Sequence, residues 1–436
     1  MNNSAMDFIK KYAMIFVLII VYGFFGWRTG GGIFLPMNVS SLISQNAYVF
    51  ILATGMLLCI LTGGNIDLSV GSVVCFVGAV GAVLMVNLHV NMYVSIVLML
   101  ILGTAIGAFQ AFWIAYVRIP PFIVTLAGML AFRGLSNVVL NGLTVSIKEC
   151  EKFVVIFGGG ANCFIKDFLH FSDIFKTPED YSFDLWKAGQ YAPTGAFPNE
   201  ELNAVDPLIG FFHCFNGFCF VVGVIIAVAF VVIQIRNRAI RKAKNYEVES
   251  LSAFLIKTVA IALVIEAFFT SLARHKGIPT VLIWVILVIA IYSYITSNTK
   301  TGRYFYAVGG NEKATKLSGI NTNKVYFLAY TNMGLLAALA GMVTIARLTS
   351  AQPTYGQNYE MDAIGSCFIG GASAYGGTGT VTGVIIGAVL MGVINLGMSL
   401  MGVDQNWQKV VKGLVLLAAV VFDVVSKRGG KLLAKD

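Results

Sequence analysis

Charge is what this chain of 436 residues has least of. Asp, Glu, Lys and Arg make up 12% of it, about half of the roughly 25% usual in soluble domains. With 57% hydrophobic residues and a mean hydropathy of +0.80, it could not cover a water-facing surface with polar groups, which excludes a soluble globular fold. No GxxxxGK[ST] phosphate loop occurs, so ATP is not bound by that route. The glycine-rich stretches GGTGTVTG (376–383) and FGGG (157–160) lack the lysine such a loop needs. The four histidines, His89, His170, His213 and His275, show no metal-ligand spacing, and no serine sits in a GxSxG elbow. No enzyme active site and no metal site is expected.

What is abundant is apolar length. Stretches of about 20 residues can cross a bilayer as helices. They recur near 13–27, 43–62, 68–87, 92–116, 122–140, 209–235, 251–273, 279–297, 326–346, 363–379, 380–402 and 408–425. The expected fold class is an all-α polytopic membrane protein with about 10–12 transmembrane helices. Glycine breaks the pair near 363–402, where part of the chain is expected to be re-entrant.

The formal net charge of +9 does not point to nucleic acid, because the cations cluster in breaks between apolar runs. Lys10 and Lys11 form one cluster, and Arg236, Arg238, Arg241, Lys242 and Lys244 a second. Lys300, Arg303, Lys313, Lys316 and Lys324 form a third, and Lys427, Arg428, Lys431 and Lys435 close the chain. The positive-inside rule assigns such breaks to the cytoplasm. Twelve spans would place both termini and every cluster on that side. The first run follows two lysines as a signal peptide would, but GFFGWRTGG offers bulky residues where cleavage needs small ones, so an uncleaved anchor is expected.

Residues 141–208 differ in kind. They hold ten of the 21 acidic residues, five lysines and four of the nine prolines, Pro178, Pro193, Pro198 and Pro207. Parity places them outside the cytoplasm, as a small subdomain that touches a partner or as a solvated insertion. The organisation expected is transmembrane helices over 1–140, the extracytoplasmic insertion over 141–208, and transmembrane helices over 209–297 around a basic cytoplasmic loop, 236–250. A cytoplasmic region follows over 298–325, then transmembrane helices over 326–425 and a cytoplasmic tail over 426–436. Cys59, Cys75 and Cys367 fall in apolar runs as small buried residues. Cys150 and Cys163 could pair only in an oxidising compartment.

One carboxylate stands out. TGGNIDLSVGS (62–72) puts Asp67 between two uncharged apolar runs. Gly63 and Gly64 would let the helix break, and Asp67 could cap a half-helix starting at Leu68, accepting from its free amides. Two readings stay open: a polar mouth on a transport pathway, or a cap exposed to water at the interface. FIGGASAYGGTGTV (368–381) faintly echoes this stretch, with a double glycine again and Gly379-Thr380-Val381 matching Gly71-Ser72-Val73. In the cytoplasmic region, Asn311 can cap a short helix over Glu312–Ser318 that Gly319 ends in the left-handed conformation. A short exposed capped helix between spans has the form of a docking element.

Five stretches in order carry a resemblance. TGGNIDLSVGS, IPPFIVTLAGMLAFRGL (119–135), GRYFYAVGGNEKATKLSGI (302–320), the long run from Tyr359 to Val403, and WQKVVKGLVLLAAVVFDV (407–424) together resemble the permease subunits of bacterial ABC sugar importers. These are the ribose-, galactose- and xylose-type permeases; ASAYGGTGTV, GMSLMGV and the Trp-Gln pair lean toward the xylose or multiple-monosaccharide branch. The resemblance implies a multi-pass subunit of the bacterial cytoplasmic membrane, with both termini cytoplasmic. It would pass a monosaccharide such as xylose, galactose or glucose, with no catalysis and no cofactor of its own. Implied partners are an ATP-binding ABC subunit carrying ATP and Mg, an extracytoplasmic sugar-binding protein, a second permease copy and membrane lipid.

The region from Gly309 to Ile320 matches the family's coupling helix, so docking to the ATPase is carried onto Gly309, Gly310, Asn311, Glu312, Ala314, Leu317, Ser318 and Gly319. Gly63, Gly64, Asp67, Ser69, Arg133, Gly370, Gly371 and Asn395 are the expected pathway or helix-junction positions, with Arg133 pairing Asp67 across neighbouring helices. The chain departs from the family pattern in its long 141–208 segment and in an extra helical pair around RNRAIRKAKNYEVE (236–249), which carries Glu266. Other readings are an ion-coupled secondary transporter with Asp67 and Glu266 relaying protons, a receptor binding ligand through 141–208, or an ABC permease for a nucleoside.

Overall fold

The computed structural model describes residues 3–160, 163–169, 215–246, 248 and 250–433. Most of the expected insertion, the start of the expected span 209–235 and the last residues of the tail lie outside the described residues. The helices are α1 (Asn3–Arg28), α2 (Pro36–Leu61), α3 (Val70–Ala82, continued by a π-helical turn Val83–Asn87), α4 (Met92–Ala115), α5 (Pro121–Leu140) and a short α6 (Glu151–Ile156). There follow α7 (Gly217–Ala243), α8 (Leu251–Ala273), α9 (Thr280–Asn298), α10 (Lys300–Gly310) and α11 (Glu312–Leu317). The last four are α12 (Thr322–Leu348), α13 (Tyr359–Ile369), α14 (Val381–Leu400) and α15 (Gln405–Leu433). Two-residue strands β1 (Val145–Ser146) and β2 (Ser350–Ala351) pair antiparallel.

Nine of these helices are long and apolar enough to cross a membrane, so the expected all-α polytopic class holds. The difference from twelve has identifiable sources. α1 contributes a shorter apolar stretch, Met14–Arg28. Where a span was expected near 363–379, an 11-residue helix, α13, ends at Ile369 and a glycine-rich loop continues to Thr380. The run expected near 408–425 lies within α15, which is not one of the nine.

The chain divides into two compact units: residues 1–25, 42–163 and 280–436 form the first, and 26–41 and 164–279 the second. The start of the expected insertion is therefore part of the first unit. There, a Cβ on Gly159 would stand 1.8 Å from the Ala346 carbonyl oxygen, so this backbone lies directly on α12. In the second unit α7 and α8 pack on each other, Gly223 against Phe269, with most of their apolar side chains exposed. Cys150 and Cys163 are not joined to each other by a disulfide.

The core of the first unit is built by small residues. α4 carries Gly103 and Gly107, and α12 carries Gly334 among alanines; a Cβ on Gly103 would lie 2.6 Å from the Gly334 carbonyl oxygen. Glycines four apart let two helix backbones touch, which is how helices bind where hydrophobicity gives no driving force.

Levels along α12 show how the chain is broken. Cys59, near the end of α2, reaches the Ala329 carbonyl, whereas Val74 in the first turns of α3 lies on Gly341. Twelve residues of helix separate those levels, about 18 Å at 1.5 Å per residue. Residues 62–69 therefore double back from the end of α2, and α3 starts well inside the bundle. The chain after α12 does the reverse. Cys75 donates to the carbonyls of Gln352 and Pro353, and Gly71 meets Gly356, so 352–356 runs antiparallel to the start of α3. α13 then begins beside that crossing. Two half-helices thus start where two backbones cross, a Cβ on Gly71 being 2.1 Å from the Gly356 oxygen.

A side chain at a backbone crossing forces both strands apart, a cost of about 1–3 kcal/mol. Gly309→Ala, whose Cβ would lie 1.8 Å from the Leu61 carbonyl oxygen, is expected to lower the apparent melting temperature in detergent measurably. Gly310→Ala, with open space around it, serves as the control. Equal melting of the two variants would contradict the packing.

Candidate functional site

Three double glycines of the sequence, Gly63-Gly64, Gly309-Gly310 and Gly376-Gly377, meet at one place. Gly64 has φ +76° and a Cβ there would stand 1.9 Å from the Ala374 oxygen, so both conformation and space require glycine. Gly377 donates its amide to the Leu61 carbonyl at 3.0 Å, and Gly376 lies against Gly63. Gly309 closes the group from α10, beside Leu61 and Gly377. The two stretches that echo one another in sequence are therefore neighbours, with the end of α10 between them. Gly370 lies farther along, its backbone against Gly383 of α14, and Gly371 turns the chain at φ +86°.

Asp67 is buried, at 3% exposure, which rules out the water-exposed cap. Its Oδ1 accepts from the Ser69 amide at 2.8 Å and the Ser69 hydroxyl at 2.6 Å. The helix begins at Val70 with Ser69 as its N-cap, not at Leu68, so Asp67 closes an Asx turn ahead of the helix rather than capping it. The Ser69 hydroxyl also meets the Gln110 carboxamide of α4, 3.0 Å from Nε2 and 3.1 Å from Oε1. Buried polar groups need partners, and this chain of three supplies them.

The expected Asp67–Arg133 pair is absent. Arg133 instead donates from Nη1 to the carbonyls of Pro353 at 3.1 Å and Tyr355 at 2.5 Å. It satisfies the re-entrant backbone, whose carbonyls have no helical partner. Asn395 of α14 donates weakly to Asn46 of α2 at 3.4 Å and holds those two helices together.

The short helix forms as its residues predict. Asn311 Oδ1 accepts from the Ala314 amide at 3.0 Å, α11 spans Glu312–Leu317, and Gly319 follows with φ +81°. Thr315 is buried and donates back to the Ala307 and Asn311 carbonyls, whereas Leu317 is 90% exposed. Glu312 ties the helix down: its Oε1 pairs with Arg118 at 2.8 Å and its Oε2 accepts from Tyr326 at 3.1 Å. Arg118 also donates to Thr322 and Asn323 and lies over the Tyr326 ring. Burial would raise the Glu312 carboxyl, but Arg118, with Thr322 and Tyr326, holds it below its ordinary value. With a depressed folded-state pKa the pair stabilises above the unfolded value and is lost as pH falls through the lowered one.

Two groups escaped the sequence reading. Arg118, in the α4–α5 turn with φ +65°, gave no signal because nothing local shows that it reaches α11. Asp362 and Lys412 form an ion pair at 3.0 Å. Neither is isolated in the sequence as Asp67 is, since Glu360 stands two residues before Asp362 and Lys409 three before Lys412.

Comparison with known proteins gives this geometry its context. The family model described as the branched-chain amino acid transport system / permease component matches residues 38–175 and 208–420. The Xylose transport system permease protein XylH of Escherichia coli (strain K12) is 33% identical over 420 residues, 96% of this chain and 93% of that protein. XylH of Haemophilus influenzae is 33% identical over 421 residues, covering 96% and 97%. The Ribose import permease protein RbsC of Escherichia coli (strain K12) is 32% identical over 387 residues, covering 88% and 85%. No solved structure matches significantly.

Removing the Ser69 hydroxyl strips Asp67 of one donor and Gln110 of its partner, which costs about 1–3 kcal/mol when the orphaned groups stay buried. Ser69→Ala is expected to melt below the parent in detergent and Ser69→Thr close to it; a parent-like Ser69→Ala would show that the network carries no stability. The family match over most of the chain, on a bundle of broken and apolar helices, leads to one conclusion: the chain belongs to the family of transport-system permease components.

Proposed function

We propose that the chain is the membrane-spanning permease subunit of an ATP-driven ABC importer that passes a monosaccharide, a pentose such as xylose or ribose foremost, into the bacterial cytoplasm. The observation that carries the reading is the one-third identity to xylose and ribose permeases along nearly the whole chain. An exposed, rigidly capped helix in the coupling position supports it. ATP and its Mg belong to a partner ATPase, in keeping with a sequence that has no GxxxxGK[ST] loop. A soluble sugar-binding protein would deliver substrate at the opposite end, and a second copy of the chain would complete the pathway. On this reading the chain lies in the inner membrane with both termini facing the cytoplasm, as the positive-inside rule expects of the basic breaks.

α11 offers Lys313, Ala314, Leu317 and Ser318 to the partner, while Asn311 and Gly319 fix its two ends. A push on α11 travels by two routes. One runs through Glu312 to Arg118 and Tyr326, hence to the α4–α5 turn and α12. The other runs through Gly309 and Gly310 to Leu61 and Gly377, the junction from which 62–69 leads to Asp67. The pathway role of Gly63, Gly64, Asp67, Ser69, Gly370 and Gly371 is then to let the chain break and bend with its backbone satisfied. Ion-coupled transport has less support, because Asp67 spends its carboxylate on Ser69.

Purification in mild detergent is expected to bring an ATPase with the chain. Retention should fall at least tenfold when Glu312–Ser318 becomes a Gly/Ser linker. A chain that arrives alone and moves solute down an ion gradient would replace this reading with the secondary transporter.

A further inference from the structure

Two ion pairs occur among the described residues, and they differ in kind. Arg118–Glu312 is partly exposed, with side chains at 42% and 36%. Asp362 and Lys412 are withdrawn, at 2% and 18%. The Lys412 Nζ stands 3.0 Å from Oδ1 and 3.2 Å from Oδ2 of Asp362, and the Tyr48 hydroxyl donates to Oδ2 at 2.6 Å. Three elements of the first unit meet there: α2 through Tyr48, the first turn of the half-helix α13 through Asp362, and α15 through Lys412. The Tyr48 ring stacks on Tyr359 with 3.5 Å between centroids and 12° between planes.

Packing alone does not call for this arrangement. Taking two charges out of water costs more than their attraction returns unless the remaining lone pairs and protons are used, and well-packed apolar side chains would hold two helices together as well or better. Here they are not all used. Asp362 Oδ1 meets no aligned hydrogen-bond donor, and Lys412 has three N–H donors with Asp362 as its hydrogen-bonding partner among the described residues. The pair as a whole is neutral. It presents spare acceptors and spare donors together, beside a phenol and an aromatic stack. A neutral polyhydroxyl solute, whose every OH both donates and accepts, is well served by such a site.

Resting on the permease reading above, we propose that Tyr48, Asp362 and Lys412 form a polar station that exchanges hydrogen bonds with the hydroxyls of the monosaccharide as it crosses the bundle. Sugar hydroxyls replace the Tyr48–Asp362 bond for the time of passage and are released as it re-forms. An ionisable pair kept inside a membrane bundle marks a substrate route far more often than a structural accident.

The test uses the complex reconstituted in proteoliposomes with its partner ATPase and binding protein, and D-xylose and D-ribose as radiolabelled probes. Asp362→Leu combined with Lys412→Met replaces the pair by an apolar one of similar size. It is expected to retain the ATPase on purification and to melt at or above the parent, yet to lose at least tenfold in the rate of ATP-dependent uptake. Tyr48→Phe removes one hydroxyl and keeps the stack; a several-fold loss of uptake at unchanged melting is expected, and this variant decides the matter if the double variant does not fold. Uptake within twofold of the parent in every folded variant would make the pair a structural tie and overturn the station. A parent complex that moves neither pentose under ATP would instead remove the permease reading on which it rests.

Discussion

The contact of bare backbone on bare backbone, where Leu61, Gly309 and Gly377 meet, is the constraint on which the first unit depends. A helix can cross a bilayer because it satisfies its own amides and carbonyls; any break in it must find other partners. Between Ile369 and Val381 this chain finds them one by one. Ser373 donates its amide to the Thr378 carbonyl, Gly376 to the Ser373 carbonyl, and Gly377 to Leu61 across the junction. The Gly379 carbonyl accepts from the Tyr306 hydroxyl at 2.9 Å, and Thr380 caps α14 through the Gly383 amide at 3.0 Å. None of this survives unless three segments approach to a distance that only glycine permits. The glycines are therefore less a source of flexibility than a condition for satisfied irregular backbone.

The scarce charges follow from the same constraint. Four of those withdrawn from water have particular partners. Asp67 folds onto its own chain through Ser69; Arg133 spends its guanidinium on the re-entrant carbonyls of Pro353 and Tyr355. Asp362 and Lys412 neutralise each other across two helices. Glu312 and Arg118, nearer to water, pin the short helix α11 to the bundle, and screening keeps such a partly exposed pair worth no more than about 1 kcal/mol. The value of that pair is positional, since it couples a solvent-facing helix to α12 and to the α4–α5 turn.

Much of the fold was legible. Apolar runs of helical length, broken by basic clusters and glycine pairs, specify a polytopic helical protein with interrupted spans, because hydrophobic thickness and backbone satisfaction leave no other class. The capped helix over Glu312–Leu317 was readable residue by residue, since Asn311 and Gly319 act on amides and φ angles within their own turn. The burial of Asp67 was half legible: an isolated carboxylate amid apolar runs signals a special environment, but depth is not a local property.

The sequence by itself determined class, element order, the places where helices must stop, and the family, because hydropathy, capping and φ preferences act over a few residues and identity accumulates along the whole chain. Tertiary structure alone decided the partners. Arg133 turns to Pro353 and Tyr355, 220 and 222 positions away, rather than to Asp67. Asp362 finds Lys412 and Tyr48, and the double glycines at 63, 309 and 376 share one point. Which charges and backbones meet depends on where α12 sets the levels of α2, α3 and the 352–356 segment, and no pattern along the chain encodes a height in the bundle.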